Sequence, residues 1–141
     1  MHEHNETLRE ALARNVRDAL MEDIGRGDWT AQLVPASRRV QARGVAKQAA
    51  VICGRPWFDA CIRALDTRAP VDWPRAEGAE VAAGDEVCHI EADARALLSA
   101  ERPALNFLQT LSATASVTRQ YVQAIAGLSP TPRGCAVLDT R

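Results

Sequence analysis

From Ser99 to Ala126 the apolar residues Leu105, Leu108, Leu111, Ala115, Val122 and Ile125 return every three or four positions. That is the spacing of one face of an α-helix, and it predicts a single long helix with Ser99 as its N-cap and Gly127 beyond its end. No other feature constrains the fold as much, because an apolar stripe of that length must be covered by the rest of the chain or by another surface. The rest of the chain is modest: 141 residues, 47% hydrophobic and 25% charged, enough for one ordinary domain with its own core.

Ahead of that helix the pattern is mixed. Leu8, Leu12, Val16 and Leu20, widened by Ala11 and Ala19, predict a helix over residues 7–22 that stops at Gly25, and Asp28 can cap a short second helical turn. Alternation of Val40, Ala42, Gly44 and Ala46, followed by the apolar run to Cys53, predicts one or two strands. Pro56 suits the first turn of a compact helix with Phe58, Cys61, Ile62 and Leu65 on one face. Val71 to Trp73 and residues 77–91, the latter broken by a Gly84-Asp85 turn, read as further short β segments. After the long helix, a loop with Pro130, Pro132 and Gly134 leads to Cys135-Ala136-Val137-Leu138-Asp139, which reads as a buried strand ending in Thr140-Arg141. The expected class is α+β, with a small antiparallel sheet covered on one face by helices.

Several functions are disfavoured by composition. The net charge of −1 gives no basic surface of the kind nucleic acid requires. Lys47 is the only lysine, so lysine-based covalent or base catalysis has a single candidate. Cys53, Cys61, Cys88 and Cys135 show no C-x-x-C pairing and read as buried free thiols. His2 and His4 lie in a polar tail and His89 stands alone, so no metal ligand set is expected. With no apolar run of membrane-spanning length and no signal-peptide pattern, a cytoplasmic protein is expected.

Three stretches carry a resemblance. Glu22-Asp23-Ile24-Gly25-Arg26-Gly27-Asp28-Trp29-Thr30, the run from Ala94 through Glu101-Arg102-Pro103-Ala104-Leu105-Asn106 to Gln109, and Leu138-Asp139-Thr140-Arg141 are similar, in order and separation, to motifs of the quinolinate phosphoribosyltransferases. Trp29 stands where that family usually has a smaller aliphatic residue, and Pro103 where threonine is common. The resemblance implies an open-faced antiparallel α/β sandwich over residues 1–101, then the first helix and strand of an α/β barrel over residues 102–141. A barrel takes about 200 residues or more, so most of it is expected to be missing.

The resemblance also implies a reaction: quinolinate and phosphoribosyl pyrophosphate, with magnesium (Mg2+), give nicotinate mononucleotide, pyrophosphate and carbon dioxide. The substrates are anions, which suit the forked N–H groups of arginine. Arg102 matches an arginine that reaches across a homodimer interface into the neighbour's quinolinate pocket. Arg141 matches one that contacts a substrate carboxylate, and Thr140 adds a hydroxyl or backbone contact. No catalytic residue is assigned within the chain, and the Mg2+ ligands and remaining site residues are expected beyond Arg141, leaving this length inactive alone. On residue type alone, Arg102 reads instead as a solvated cation paired with Glu101 or a nearby acid. Its expected place near a helix start, where the dipole disfavours a cation, argues that capping does not explain it.

Two other readings compete. One is a paralogous pyrophosphorylase of the same fold, such as the homologue associated with molybdenum transport. The other is a non-catalytic sandwich module that self-associates through the uncovered stripe from Leu105 to Ile125. Residues 77–91 also suggest a biotinyl or lipoyl carrier hairpin, but Lys47 is not in that turn.

Overall fold

The computed structural model describes residues 6–25, 27–128 and 134–138. Helix α1, Leu8–Ile24, begins at Thr7, whose hydroxyl accepts from the Glu10 amide while the Glu10 carboxylate accepts from the Thr7 amide, a reciprocal cap that satisfies two otherwise free N–H groups. It buries Val16 and Leu20 and ends at Gly25. Helix α2 is one turn, Trp29–Gln32, capped by Asp28 as expected. Strand β1, Arg39–Val45, and strand β2, Ala50–Val51, follow.

Helix α3, Arg55–Leu65, starts after Gly54, which has no side chain to cap it. The cap comes from Glu77, whose two carboxylate oxygens accept from the Gly54 and Arg55 amides at 2.6 and 3.2 Å. Gly54 is fixed twice over: its φ is +103°, and a Cβ there would lie 2.9 Å from Leu111 Cδ1 and 3.3 Å from the Phe107 carbonyl. Phe58, Cys61 and Ile62 are buried as their spacing predicts, whereas Leu65 at the helix end remains partly exposed. Phe58 meets the edge of Trp73 at 5.3 Å, and the Trp73 indole donates to Asp59.

Strands β3 (Val71–Asp72), β4 (Glu80–Val81) and β5 (Glu86–Asp93) complete two antiparallel sheets, one ordered β1-β5-β3 and one pairing β2 with β4. The segments flanking Gly84-Asp85 are therefore not hairpin partners, as a tight turn between them suggests; they enter different sheets. Along β1 the side chains alternate. Val40, Ala42 and Gly44 face inward opposite Ala92, Ile90 and Cys88, while Arg39 and Arg43 on the outer side pair with Glu91 and Glu86. The sheet is open on that outer face.

Helix α4, Ala94–Ile125, begins five residues earlier than the apolar pattern indicates, with Asp93 rather than Ser99 as its cap; Asp93 Oδ1 accepts from the Arg95 and Ala96 amides. Pro103 lies inside it, and this is what disguises the start: proline removes one backbone bond, and a helix usually begins near such a residue rather than passing through it. Here burial of Ala100, Pro103 and Ala104 against α3 and the sheet carries the helix through. Ser112 and Ser116, one turn apart, fasten α4 to the edge of β2, their hydroxyls accepting from the Cys53 and Val51 amides at 3.0 and 2.8 Å. The core joins α1, α3 and α4 over the β1-β5-β3 sheet, and a smaller cluster, Ile52, Val81 and Val87, fills the second.

Cys135 to Asp139 were expected in a buried strand, of which residues 135–138 are described. They carry no regular structure and are exposed, Leu138 at 81%; a lone strand has no ladder to join. Cys61 and Cys88 are buried free thiols and Cys53 is half-buried, whereas Cys135 is exposed.

Candidate functional site

The first two motif stretches, far apart in sequence, meet on one side of α4. The loop after α1 is bound to the second turn of that helix by Asp28, whose Oδ1 caps α2 through the Ala31 amide at 3.0 Å while Oδ2 accepts from the Ser99 hydroxyl at 2.7 Å. These bonds, the Ala31 amide foremost and the Ser99 hydroxyl next, hold the Asp28 carboxyl below the usual carboxylate range, with the positive charge of Arg102 adding to them. Arg95 donates from Nε to the Val34 carbonyl at 2.7 Å, fixing the first turn of α4 to the segment after α2. Ser99 is thus a tether within the helix and not its cap.

One turn further along, Arg102 leaves the helix surface with its Nε 3.5 Å from Asp23 Oδ1. Its partner is an acid of the α1 terminus, not the adjacent Glu101. The Arg102 side chain is 78% exposed, against 27% for Asp23. Because α4 starts at Ala94, Arg102 sits in the third turn, outside the reach of the helix-end field, so the dipole argument for its role lapses. Pro103, immediately after it, points into the core.

Thr140 and Arg141, and with them the expected second substrate arginine, lie outside the described residues. Of the expected site, the structure places Arg102 alone. It adds Asp23, Asp28 and Ser99 around it, a grouping that sequence reading left as two separate motifs. The signal was present in Asp23 and Asp28 of the 22–30 segment; what was missing was the long-range contact.

Behind Arg102, a cavity of about 160 Å³ lies between the sheet and the helices, lined by Phe58, Ile62, Cys88, Leu97, Glu101 and Leu105. It is mostly apolar, so it does not extend an anion site. Among the described residues no group of three or more His, Cys, Asp or Glu side chains could hold a metal ion. Asp23 and Asp28 are already engaged by Arg102, Ser99 and a backbone amide.

Residues 28–112 match the family model described as quinolinate phosphoribosyl transferase, N-terminal domain. The chain belongs to the quinolinate phosphoribosyltransferase family. It is 44% identical over 107 residues to a probable carboxylating nicotinate-nucleotide pyrophosphorylase of Synechocystis, an alignment covering 76% of this chain and 36% of that protein. It is 35% identical to a carboxylating nicotinate-nucleotide pyrophosphorylase of Mycobacterium leprae, over 84% of this chain and 43% of the other. Its fold superposes on the nicotinate-nucleotide pyrophosphorylase of Francisella tularensis with a TM-score of 0.81 and 32% identity, covering 89% of this chain and 45% of that one. The chain thus spans less than half the length of these relatives. The α+β class and the open sheet are those of the family's N-terminal domain.

Proposed function

We propose that this chain supplies the N-terminal part of an enzyme that joins quinolinate to phosphoribosyl pyrophosphate and releases nicotinate mononucleotide, pyrophosphate and carbon dioxide in NAD biosynthesis. The observation that carries the reading is Arg102: a largely exposed guanidinium on a long helix, within the residues that the family model matches. An arginine so placed can meet a carboxylate with two parallel charge-assisted hydrogen bonds. Its role is to bind and orient a pyridine dicarboxylate across the interface of a homodimer or higher homo-oligomer. Arg141 adds a contact to a substrate carboxylate and Thr140 a hydroxyl or backbone contact. With the domain boundary at residues 101 and 102, α4 serves both the sandwich and the start of the barrel. Mg2+ and the groups that stabilise the ribosyl centre come from outside the described residues, and the setting is cytoplasmic.

A mass-spectrometric end-point assay tests this. The chain incubated with quinolinate, phosphoribosyl pyrophosphate and Mg2+ should form no nicotinate mononucleotide, while a version extended through a barrel should turn over. In that extended version Arg102→Ala should lower kcat/KM by about 10²-fold, the effect of removing one positioned charge-stabilising donor. Unchanged kcat/KM for Arg102→Ala would remove Arg102 from the site. Replacing quinolinate by other pyridine carboxylates separates this activity from that of a paralogous pyrophosphorylase.

A second reading, a self-associating module without catalysis, draws support from the far end of α4, where Val117, Tyr121 and Val122 are exposed. The same assay separates the two, since a pure interaction module gives no turnover in either form.

A further inference from the structure

We propose that Asp23 is a positioning residue for Arg102: it holds the guanidinium by Nε, so that the Nη edge faces outward, ready for a carboxylate. The inference rests on the reading of Arg102 as a substrate ligand and adds to it the device that aims the side chain.

A guanidinium has separate edges. Contact at Nε leaves the end-on pair of Nη groups, which can bind a carboxylate through two parallel hydrogen bonds. Asp23 Oδ1 is 3.5 Å from Nε, and the Arg102 side chain keeps most of its surface open. Asp23 is not itself placed by Arg102. The last turn of α1, which carries it, is fixed by the packing of Val16, Leu20 and Ile24 into the core. The loop that follows is tied to α4 through Asp28 and Ser99 at 2.7 Å, one turn before Arg102. The aspartate and the arginine are therefore delivered to each other by two independent attachments. An unrestrained arginine must give up rotamer freedom when it binds; holding it beforehand lowers that loss. Asp28 cannot do the same work, because both of its carboxylate oxygens are engaged by Ala31 and Ser99. The acidic 22–30 segment thereby acquires a role that its own chemistry did not suggest: it serves a substrate arginine eighty residues away without touching substrate.

The test uses the 141-residue chain labelled with ¹⁵N, following arginine Nε–Hε correlations, with the Arg102 peak assigned by its loss in Arg102→Lys. Asp23→Asn should move and broaden that peak while the other arginine peaks and the backbone amide spectrum stay in place, and Asp23→Glu should restore it. Asp23→Ser supplies a second neutral variant should the first disturb the amide spectrum. In the version extended through a barrel, quinolinate should bind with affinity weakened roughly two- to fivefold by Asp23→Asn, the scale of an exposed ion pair, and recovered in Asp23→Glu. An Arg102 peak indifferent to both neutral variants overturns the proposal. If Arg102→Ala leaves quinolinate affinity of the extended version unchanged while Asp23→Asn still moves the Arg102 peak, the substrate reading of Arg102 falls and its orientation by Asp23 stands.

Discussion

The two ends of α4 obey the same apolar period and meet opposite fates. Between Ala94 and Ser116 the helix lies in the molecule, with Ala100 and Ala104 fully buried and Ser112 and Ser116 hydrogen-bonded to the β2 edge. From Val117 onward its side chains face solvent, including Tyr121 at 62% exposure. Periodicity specifies a face but not what covers it. The near half is covered by α3 and the sheet, whereas in the far half Arg119 reaches Glu80 of β4 at 2.7 Å while Val117, Tyr121 and Val122 stay exposed. The near half also carries Arg102, so the candidate ligand stands on the anchored part of the helix.

If anchoring of the near half matters as described, its largest single dependence is Asp66, a buried carboxylate that accepts from the Asp93 amide at 2.9 Å, Arg39 Nη1 at 2.7 Å and the Arg68 amide at 3.0 Å. It thereby fixes the cap residue of α4 to β1 and to the end of α3. Asp66→Ala should cost about 3 kcal/mol, since it removes at once the shared acceptor of two backbone amides and a guanidinium, each bond worth about 1 kcal/mol or more, read from urea midpoints. The pH dependence has a definite sign. The Asp93 amide first, then the Arg68 amide and Arg39, lower the Asp66 pKa below its ordinary 3.8. The stability it contributes is thus fully present above the unfolded value and is lost as pH falls through the depressed folded one. Thermal midpoints of wild type should drop more steeply below pH 4 than those of Asp66→Asn; parallel curves would remove Asp66 from the account.

A smaller effect probes packing directly. Ala104→Leu should destabilise by about 1–3 kcal/mol, the usual range for overpacking, because Ala104 has no exposed surface. A neutral result would mean that the near half is looser than its burial implies. The smallest effect is expected at the far half, where Val117→Ser with Val122→Ser should change the unfolding free energy by no more than about 0.5 kcal/mol. The same pair should lower the weight-average mass in light scattering if that face self-associates. A large loss of stability without a change in mass would place a covering surface inside the chain.

How much of this was legible in the sequence follows the range of the forces involved. The stop of α1 at Gly25, the Asp28 cap and the burial of Phe58, Cys61 and Ile62 rest on neighbours a few positions apart, and they stand where the pattern puts them, whereas Leu65 at the end of α3 does not. The pairing of β4 with β2 and of β5 with β1 has no such local basis, because partners such as Gly44 and Cys88 are brought together only by the tertiary fold. The start of α4 was hidden by Pro103, a local signal that burial overrides. Arg102 was readable by motif, but its partner Asp23 was not, since nothing local relates the end of one helix to the third turn of another.

The carboxylate of Glu77 at the head of α3 has a kinetic side. A helix that carries its own cap can form transiently while the chain is still open, whereas α3 receives its acceptor from 22 residues further on, across a loop that must first close. Its first turn is therefore expected to become persistent only after the 73–79 segment has docked, which places the consolidation of this helix among the later events of folding although its sequence looks self-sufficient.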